Sequence, residues 1–118
     1  METAGSVDHD GDTLDYCRLN DITLQAWSPF QKPAWQGCFI GSEDYAELNR
    51  KISQVAEKYS VSATTIAAAW IMRHPAGIQV VSGTASENRL KEILESCDVS
   101  LTRQEWYELY LAAGHPLP

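Results

Sequence analysis

The sequence predicts an α/β fold with parallel strands, on three observations. Two short segments, residues 22–27 and 78–81, are apolar and β-branched with a single amide each, the pattern of strands covered on both faces. Helical segments separate them, so they cannot pair as a hairpin and must lie parallel, joined by a crossover. About five helical stretches present apolar stripes to only these two strands. A parallel sheet needs both faces covered and its edges paired, so the chain reads as a slice of a larger α/β structure.

The elements follow in order. Residues 1–12 are rich in Gly, Asp, Ser and Thr with little to bury, which predicts a loop. Asp12 or Thr13 can cap a short helix over residues 14–18, with Leu14, Cys17 and Arg18 on one side. The first strand, 22–27, stops at Ser28-Pro29. Residues 29–43 hold Pro29, Pro33, Gly37 and Gly41 with the aromatics Phe30, Trp35 and Phe39, a long loop of the kind that serves a function or packs on a ligand.

Tyr45, Leu48, Ile52, Val55, Ala56 and Tyr59 recur at spacings of three and four, which predicts an amphipathic helix. Ser62 then caps an Ala-rich helix over 63–73, with Val61 and Ile66 as its staple and Pro75 and Gly77 as its stop. After the second strand, Ser82-Gly83-Thr84 makes the exit turn. A helix from about Ser86 to Cys97 carries Leu90, Ile93, Leu94 and Cys97 on one face. Thr102 and Glu105 form a capping box with Leu101 and Trp106 as staple, opening a last helix that ends at Gly114.

Composition narrows the function. At 118 residues, 44% hydrophobic and 21% charged, the chain has the make-up of a soluble globular protein. No apolar run approaches the about 18 residues of a membrane span, and residues 1–10 carry no basic start or hydrophobic stretch, so we expect a cytoplasmic location. The net charge is −7. Much of it sits in residues 1–21, where Glu2, Asp8, Asp10, Asp12, Asp15 and Asp21 face only Arg18. Without a basic stripe, neither a nucleic acid nor an anionic membrane is an expected partner. Cys17, Cys38 and Cys97 lack C-x-x-C spacing and read as free thiols.

Ligands of α/β folds bind beyond the C-terminal ends of the strands. The second exit offers Gly83 for close backbone approach, the hydroxyls of Thr84 and Ser86, a helix start, and Arg89 for a bidentate contact, together suited to a phosphate. The alternative is that Gly83 only turns the chain and Ser86 only caps. Trp27 can offer its face to a ligand ring or be a core tryptophan; Trp35, Trp70 and Trp106 read as loop packing or helix-face core. Asp8, Asp10 and Asp12 resemble the start of a calcium loop, but the glycine, Gly11, is two places early and Leu19 stands where the terminal acid belongs. His9, His74 and His115 have no ligand spacing, so no metal is expected, and His74 reads as a helix-end residue interacting with the dipole.

Leu24-Gln25-Ala26-Trp27-Ser28-Pro29-Phe30, Ala69-Trp70-Ile71-Met72-Arg73-His74-Pro75, Val80-Val81-Ser82-Gly83-Thr84 through Arg89, and Leu101-Thr102, in that order and spacing, resemble the C-terminal third of an aldo-keto reductase of the bacterial oxidoreductase branch. The resemblance runs from about residue 12 to the end. It implies the C-terminal portion of a (β/α)₈ TIM barrel: residues 1–21 as the loop and helix after strand 6, 22–77 as strand 7 with its loop and helices, and 78–118 as strand 8 with the C-terminal helices. It also implies NADP, with NAD still open, and a small carbonyl substrate in the full-length protein. Trp27 would stack on the nicotinamide and Ser28 and Phe30 line the pyrophosphate, while Gly83, Thr84, Ser86, Arg89 and Glu92 would hold the adenosine 2'-phosphate and adenine. The family often has a Lys at the position of Gly83 or Ser86, and an Asn where Ile93 stands.

The family's catalytic Asp, Tyr, Lys and His fall before strand 6, and Tyr16, Tyr45 and Lys51 do not match them, so we assign no catalytic residue to this chain. The expectation is an NADP-dependent oxidoreductase fragment that is inactive alone. The alternatives are a non-catalytic module completing a barrel with another chain and a free-standing nucleotide binder. The excess of apolar helix face predicts that the isolated chain can self-associate.

Overall fold

In the computed structural model, which describes residues 11–117, helix α1 (Asp12–Leu19) leads to strand β1 (Gln25–Ala26), then to helices α2 (Ala46–Tyr59) and α3 (Ala63–Met72). Strand β2 (Gln79–Val80) and helices α4 (Glu87–Glu95) and α5 (Arg103–Ala112) complete it. Asp8, His9 and Asp10 lie outside the described residues. The two strands pair in parallel, Gln25 opposite Gln79 and Ala26 opposite Val80, as the intervening helices require. They are far shorter than the apolar segments that mark them. A strand extends only as far as a neighbour supplies donors and acceptors, and here each has one neighbour. Ile22 and Val81, expected to be covered, are exposed for the same reason.

The core lies among helices instead. Leu48, Ile52, Val55 and Ala56 of α2 meet Ile66 and Ala69 of α3, with Leu101, just before α5, and Leu109 of α5 closing the third side. Burying an aliphatic side chain of this kind stabilises by about 1.5–3 kcal/mol, so this three-helix cluster is the main source of cohesion. The α2 stripe is the one its periodicity predicts.

Capping chemistry agrees with the sequence at two helices and departs from it at two. The Ser62 hydroxyl accepts from Thr65 N–H at 3.1 Å. Thr102 Oγ1 accepts from Glu105 N–H at 3.2 Å while Glu105 Oε2 accepts from Thr102 N–H at 2.8 Å, a complete capping box. At α1 neither Asp12 nor Thr13 is the cap: Gly11 is, at φ 85°, and Asp12 begins the helix. At α4 the Ser86 side chain makes no cap bond, and the Ser86 N–H instead donates to Thr84 Oγ1 at 3.1 Å, a turn one step earlier.

Three polar devices lock the helices together. Trp70 and Trp106 stack at 4.7 Å with an interplanar angle of 5°, and each indole N–H donates to the other residue's carbonyl, at 3.0 and 2.9 Å. Buried Glu105 accepts from Lys58 and, at 2.7 Å, from Tyr59, tying α5 to α2. Thr65, fully buried, donates through its hydroxyl to the Glu92 carbonyl at 2.9 Å and holds α4 on α3. The predicted apolar face of α4 is not covered: Leu94 is 68% exposed and Leu90 and Cys97 are also exposed, while Ser96 is the residue that turns inward.

His74 does not act as a cation at the end of α3. Its Nδ1 accepts from the Ala76 N–H at 3.1 Å, and burial, then nearby Arg18, lowers its pKa, with Asp15 opposing. A ring whose Nδ1 is an acceptor is neutral, so its role is to shape the turn before β2.

Candidate functional site

Both strands end facing the same space. After β1 the chain passes through Ser28 in a left-handed conformation (φ 47°) and doubles back, with Gln31 and Cys38 forming an isolated antiparallel bridge. Lys32 N–H donates to the Gly37 carbonyl and Phe39 N–H to the Phe30 carbonyl, so the predicted long loop is a folded flap. Its far end is fastened by a residue that no sequence pattern singles out. Asn49, in α2, donates through Nδ2 to the carbonyls of Phe39 (2.8 Å), Ser42 (3.1 Å) and Tyr45 (3.1 Å), and its Oδ1 accepts from Gly41 N–H at 2.7 Å. Lys32 adds a bond of 2.9 Å to Asp44 and one of 3.1 Å to Ser42, and its ammonium holds the Asp44 carboxyl below its usual range.

The flap and the β2 exit enclose a cleft of about 300 Å³, lined on one side by Ser28, Phe30, Gln31 and Cys38 and on the other by Gly83, Thr84, Arg89 and Ile93. Five of the expected cofactor residues, Ser28, Phe30, Gly83, Thr84 and Arg89, therefore share one concavity, although residues 28 and 89 are far apart in sequence. Three do not line it. Ser86 sits at the start of α4 with its N–H turned to Thr84; Glu92 is half-buried and engaged through its carbonyl; Trp27 lies outside, 68% exposed.

The core reading of Trp27 does not hold. Its ring meets that of Trp35, equally exposed, at 5.7 Å and a tilt of 43°, so Trp35 packs on Trp27 rather than into the loop. Gln31 and Cys38 also line the cleft. Only the flap's fold brings them there, and the sequence marked Cys38 solely as a free thiol.

The cleft has the chemistry of an anion site. Arg89 is the one cation on its lining, and among the described residues it is engaged in no salt bridge. A Cβ at Gly83 would meet nothing within 4 Å, so open space reaches the backbone there. Ser82 Oγ, just before it, is buried without a protein hydrogen-bond partner. Ser82 itself is not part of the cleft lining.

A parallel strand pair with a cleft past its exits and helices outside is an arrangement common to barrels and open α/β sheets; the solved structures it superposes on make it a partial (β/α)₈ barrel. The fold superposes on a thermostable aldo-keto reductase, Tm1743, solved with the inhibitor epalrestat, at TM-score 0.68 and 22% identity over 90% of this chain and 36% of that one. It also superposes on MGS-M4, an aldo-keto reductase from a deep-sea metagenome, at TM-score 0.62 and 21% identity, over 87% and 35%. Residues 6–110 match the aldo/keto reductase family, and the chain belongs to it.

Among its relatives, the 6-dehydroglucose reductase of Agrobacterium fabrum is 33% identical over 100 residues, 85% of this chain and 32% of that protein. The 6-dehydroglucose reductase of Novosphingobium aromaticivorans is 34% identical over 109 residues, 89% and 34%. The chain thus spans about a third of the length of the curated relatives it matches.

Proposed function

We propose that this chain is the C-terminal, cofactor-binding part of an NADP-dependent reductase that reduces an aldehyde or ketone, with β1 and β2 as the seventh and eighth strands of its barrel. The observation that carries this reading is the gathering of Ser28, Phe30, Gly83, Thr84 and Arg89 around one cleft. Its volume lies at the lower end of the about 300–1,000 Å³ of ligand pockets, enough for a phosphate and its sugar rather than a whole dinucleotide.

The residues fit the group. Arg89 supplies bidentate donors to a phosphate, Thr84 supplies a hydroxyl, and Gly83 lets the ligand reach the backbone. Ser28 and Phe30 form the opposite wall, where the pyrophosphate would pass. Trp27 presents an open ring face for stacking against the nicotinamide. Bound NADPH would supply the hydride. With no Lys at Gly83 or Ser86, selection of the 2'-phosphate falls to Arg89.

Proton donation to the carbonyl falls to groups outside this chain. Tyr45 packs edge-on against Phe39 at 6.3 Å and Lys51 is paired with Glu108, so both are occupied structurally. Calorimetric titration of the chain with NADP⁺ and NAD⁺ tests the reading. We expect NADP⁺ to bind more tightly, Arg89→Ala to erase the difference, and no aldehyde reduction by the chain alone. Absence of NADP⁺ binding at millimolar concentration, or turnover lost on heat denaturation, overturns it.

A second reading is favoured by the uncovered strands and the exposed face of α4: a non-catalytic module that completes a barrel with another chain. Light scattering after size exclusion separates the two, since a compact monomer that melts cooperatively contradicts the module.

A further inference from the structure

Below the flap, the three-helix core contains a cavity of about 170 Å³. Its walls come from four elements: Pro29 and Phe39 of the flap, Ile52 of α2, Ile66 and Ala67 of α3, and Leu109 of α5. No residue of β1, β2 or α4 lines it, so it is separate from the open strand edges and from the uncovered face of α4. Ile52, Ile66, Ala67 and Leu109 are each more than nine-tenths buried although they line it, so it is a recess inside the core and not a stretch of outer surface. The flap divides it from the cofactor cleft: Cys38 lines the cleft, Phe39 lines the cavity, and Pro29 borders both.

The walls are fixed. Trp70, which forms one side, is held by its reciprocal hydrogen bonds with Trp106. Phe39 is pinned at its N–H by the Phe30 carbonyl at 3.0 Å and at its carbonyl by Asn49 at 2.8 Å, and its ring meets Tyr45 edge-on. At the rim, His115 stacks on Tyr110 at 4.7 Å and an angle of 24°.

Protein interiors pack like organic crystals, with few voids larger than a water molecule. The chemistry of this cavity selects what it takes. An ordered buried water needs two to four polar partners, and His115 is the one polar side chain on the lining. No Lys, Arg, Asp or Glu lines it, so a charged ligand would lose its hydration with no partner in return. A compact apolar molecule has neither problem. Apolar cavities of about 150 Å³ stay dry and take up benzene, so the volume here corresponds to one substituted ring.

We propose that this cavity is a binding site for a small neutral molecule with a single aromatic ring, held by the aliphatic walls and by Phe39 and Trp70. The site stands on the packing of the helices and the flap and does not rest on the cofactor reading.

The test is titration of the chain with toluene, followed by thermal melts and by NOEs from the toluene ring to side-chain methyls. Toluene is expected to saturate, to raise the melting midpoint, and to give NOEs to Ile52, Ile66 and Leu109. Benzoate, the same ring with a charge, should bind at least about tenfold more weakly. Ala113→Leu, which fills the cavity from the end of α5, should weaken toluene binding by at least about tenfold. Ala113 is half-buried at the C-terminal cap, where a larger side chain is accommodated; if that variant does not melt cooperatively, Ala67→Val, filling the cavity from α3, decides the matter. NADP⁺ should not displace toluene, because the flap stands between them. Absence of saturation up to the solubility of toluene, NOEs confined to methyls outside the cavity, benzoate bound as tightly as toluene, unchanged binding in the filled variant, or displacement by NADP⁺ overturns the proposal.

Discussion

Replacing Asn49 by alanine tests how the cleft is built. Its side chain joins one backbone N–H and three carbonyls of the flap. An amide nitrogen cannot satisfy all of those carbonyls at once, so the side chain is worth about three net hydrogen bonds, or about 3 kcal/mol at about 1 kcal/mol each. Gly41 is exposed and its N–H regains water, and alanine is a better helix former by about 0.5 kcal/mol, so the net cost is about 2 kcal/mol. Asn49→Asp should cost more, because it keeps the acceptor for Gly41 but turns carboxylate oxygens toward the carbonyls. Urea denaturation gives the stability change, and NADP⁺ titration of the folded variant gives the effect on the cleft. We expect Asn49→Ala to weaken binding by about fivefold or more as the wall of Phe30, Gln31 and Cys38 loosens. A stability within about 0.5 kcal/mol of the parent, together with unchanged affinity, would refute the reasoning.

Further predictions concern the helices. Glu105 is buried, which raises its pKa, but hydrogen bonds from Lys58, the Thr102 backbone and Tyr59 prevail and bring it to about 2. A carboxyl depressed in the folded state stabilises above its unfolded value of about 4.5 and loses that contribution as the pH falls toward about 2. After allowance for the solvent around Lys58, about 1–2 kcal/mol should disappear across that window. Glu105→Gln should flatten the profile, and an unchanged acid limb in thermal melts would contradict the assignment. Ser62→Ala removes the α3 cap and should cost about 1 kcal/mol in chemical denaturation; a neutral result would show that Thr65 substitutes for it. Thr65→Val should expose α4 amides to faster hydrogen exchange while leaving those of α2 slow, since its hydroxyl is the tie between α3 and α4.

The helices were legible because their signals are local. The α2 stripe, the Ser62 cap and the Thr102–Glu105 box depend on residues three and four apart, and the structure has all three. The strands were legible in place and direction but not in length, because 22–27 and 78–81 are strand-like only where a neighbour pairs with them. The face of α4 is apolar in sequence yet open in the structure, since periodicity records what a helix is suited to bury and not what lies beside it. Within the cleft, the Gly83–Arg89 turn was readable from its chemistry. Asn49 was not, because a lone Asn inside a helix carries no pattern until the flap folds over it. Cys38 and Gln31 reach the cleft through the same flap.

The central claim is that a phosphate-bearing cofactor binds between the two strand exits. Titrating ¹⁵N-labelled chain with NADP⁺ and following every amide and indole resonance tests it most directly. The account predicts shifts concentrated at Ser28, Phe30, Gly83, Thr84 and Arg89 and at the Trp27 indole, with the Trp70 and Trp106 indoles unmoved. Shifts centred on Trp106 and Arg103, or none at saturating ligand, would contradict it.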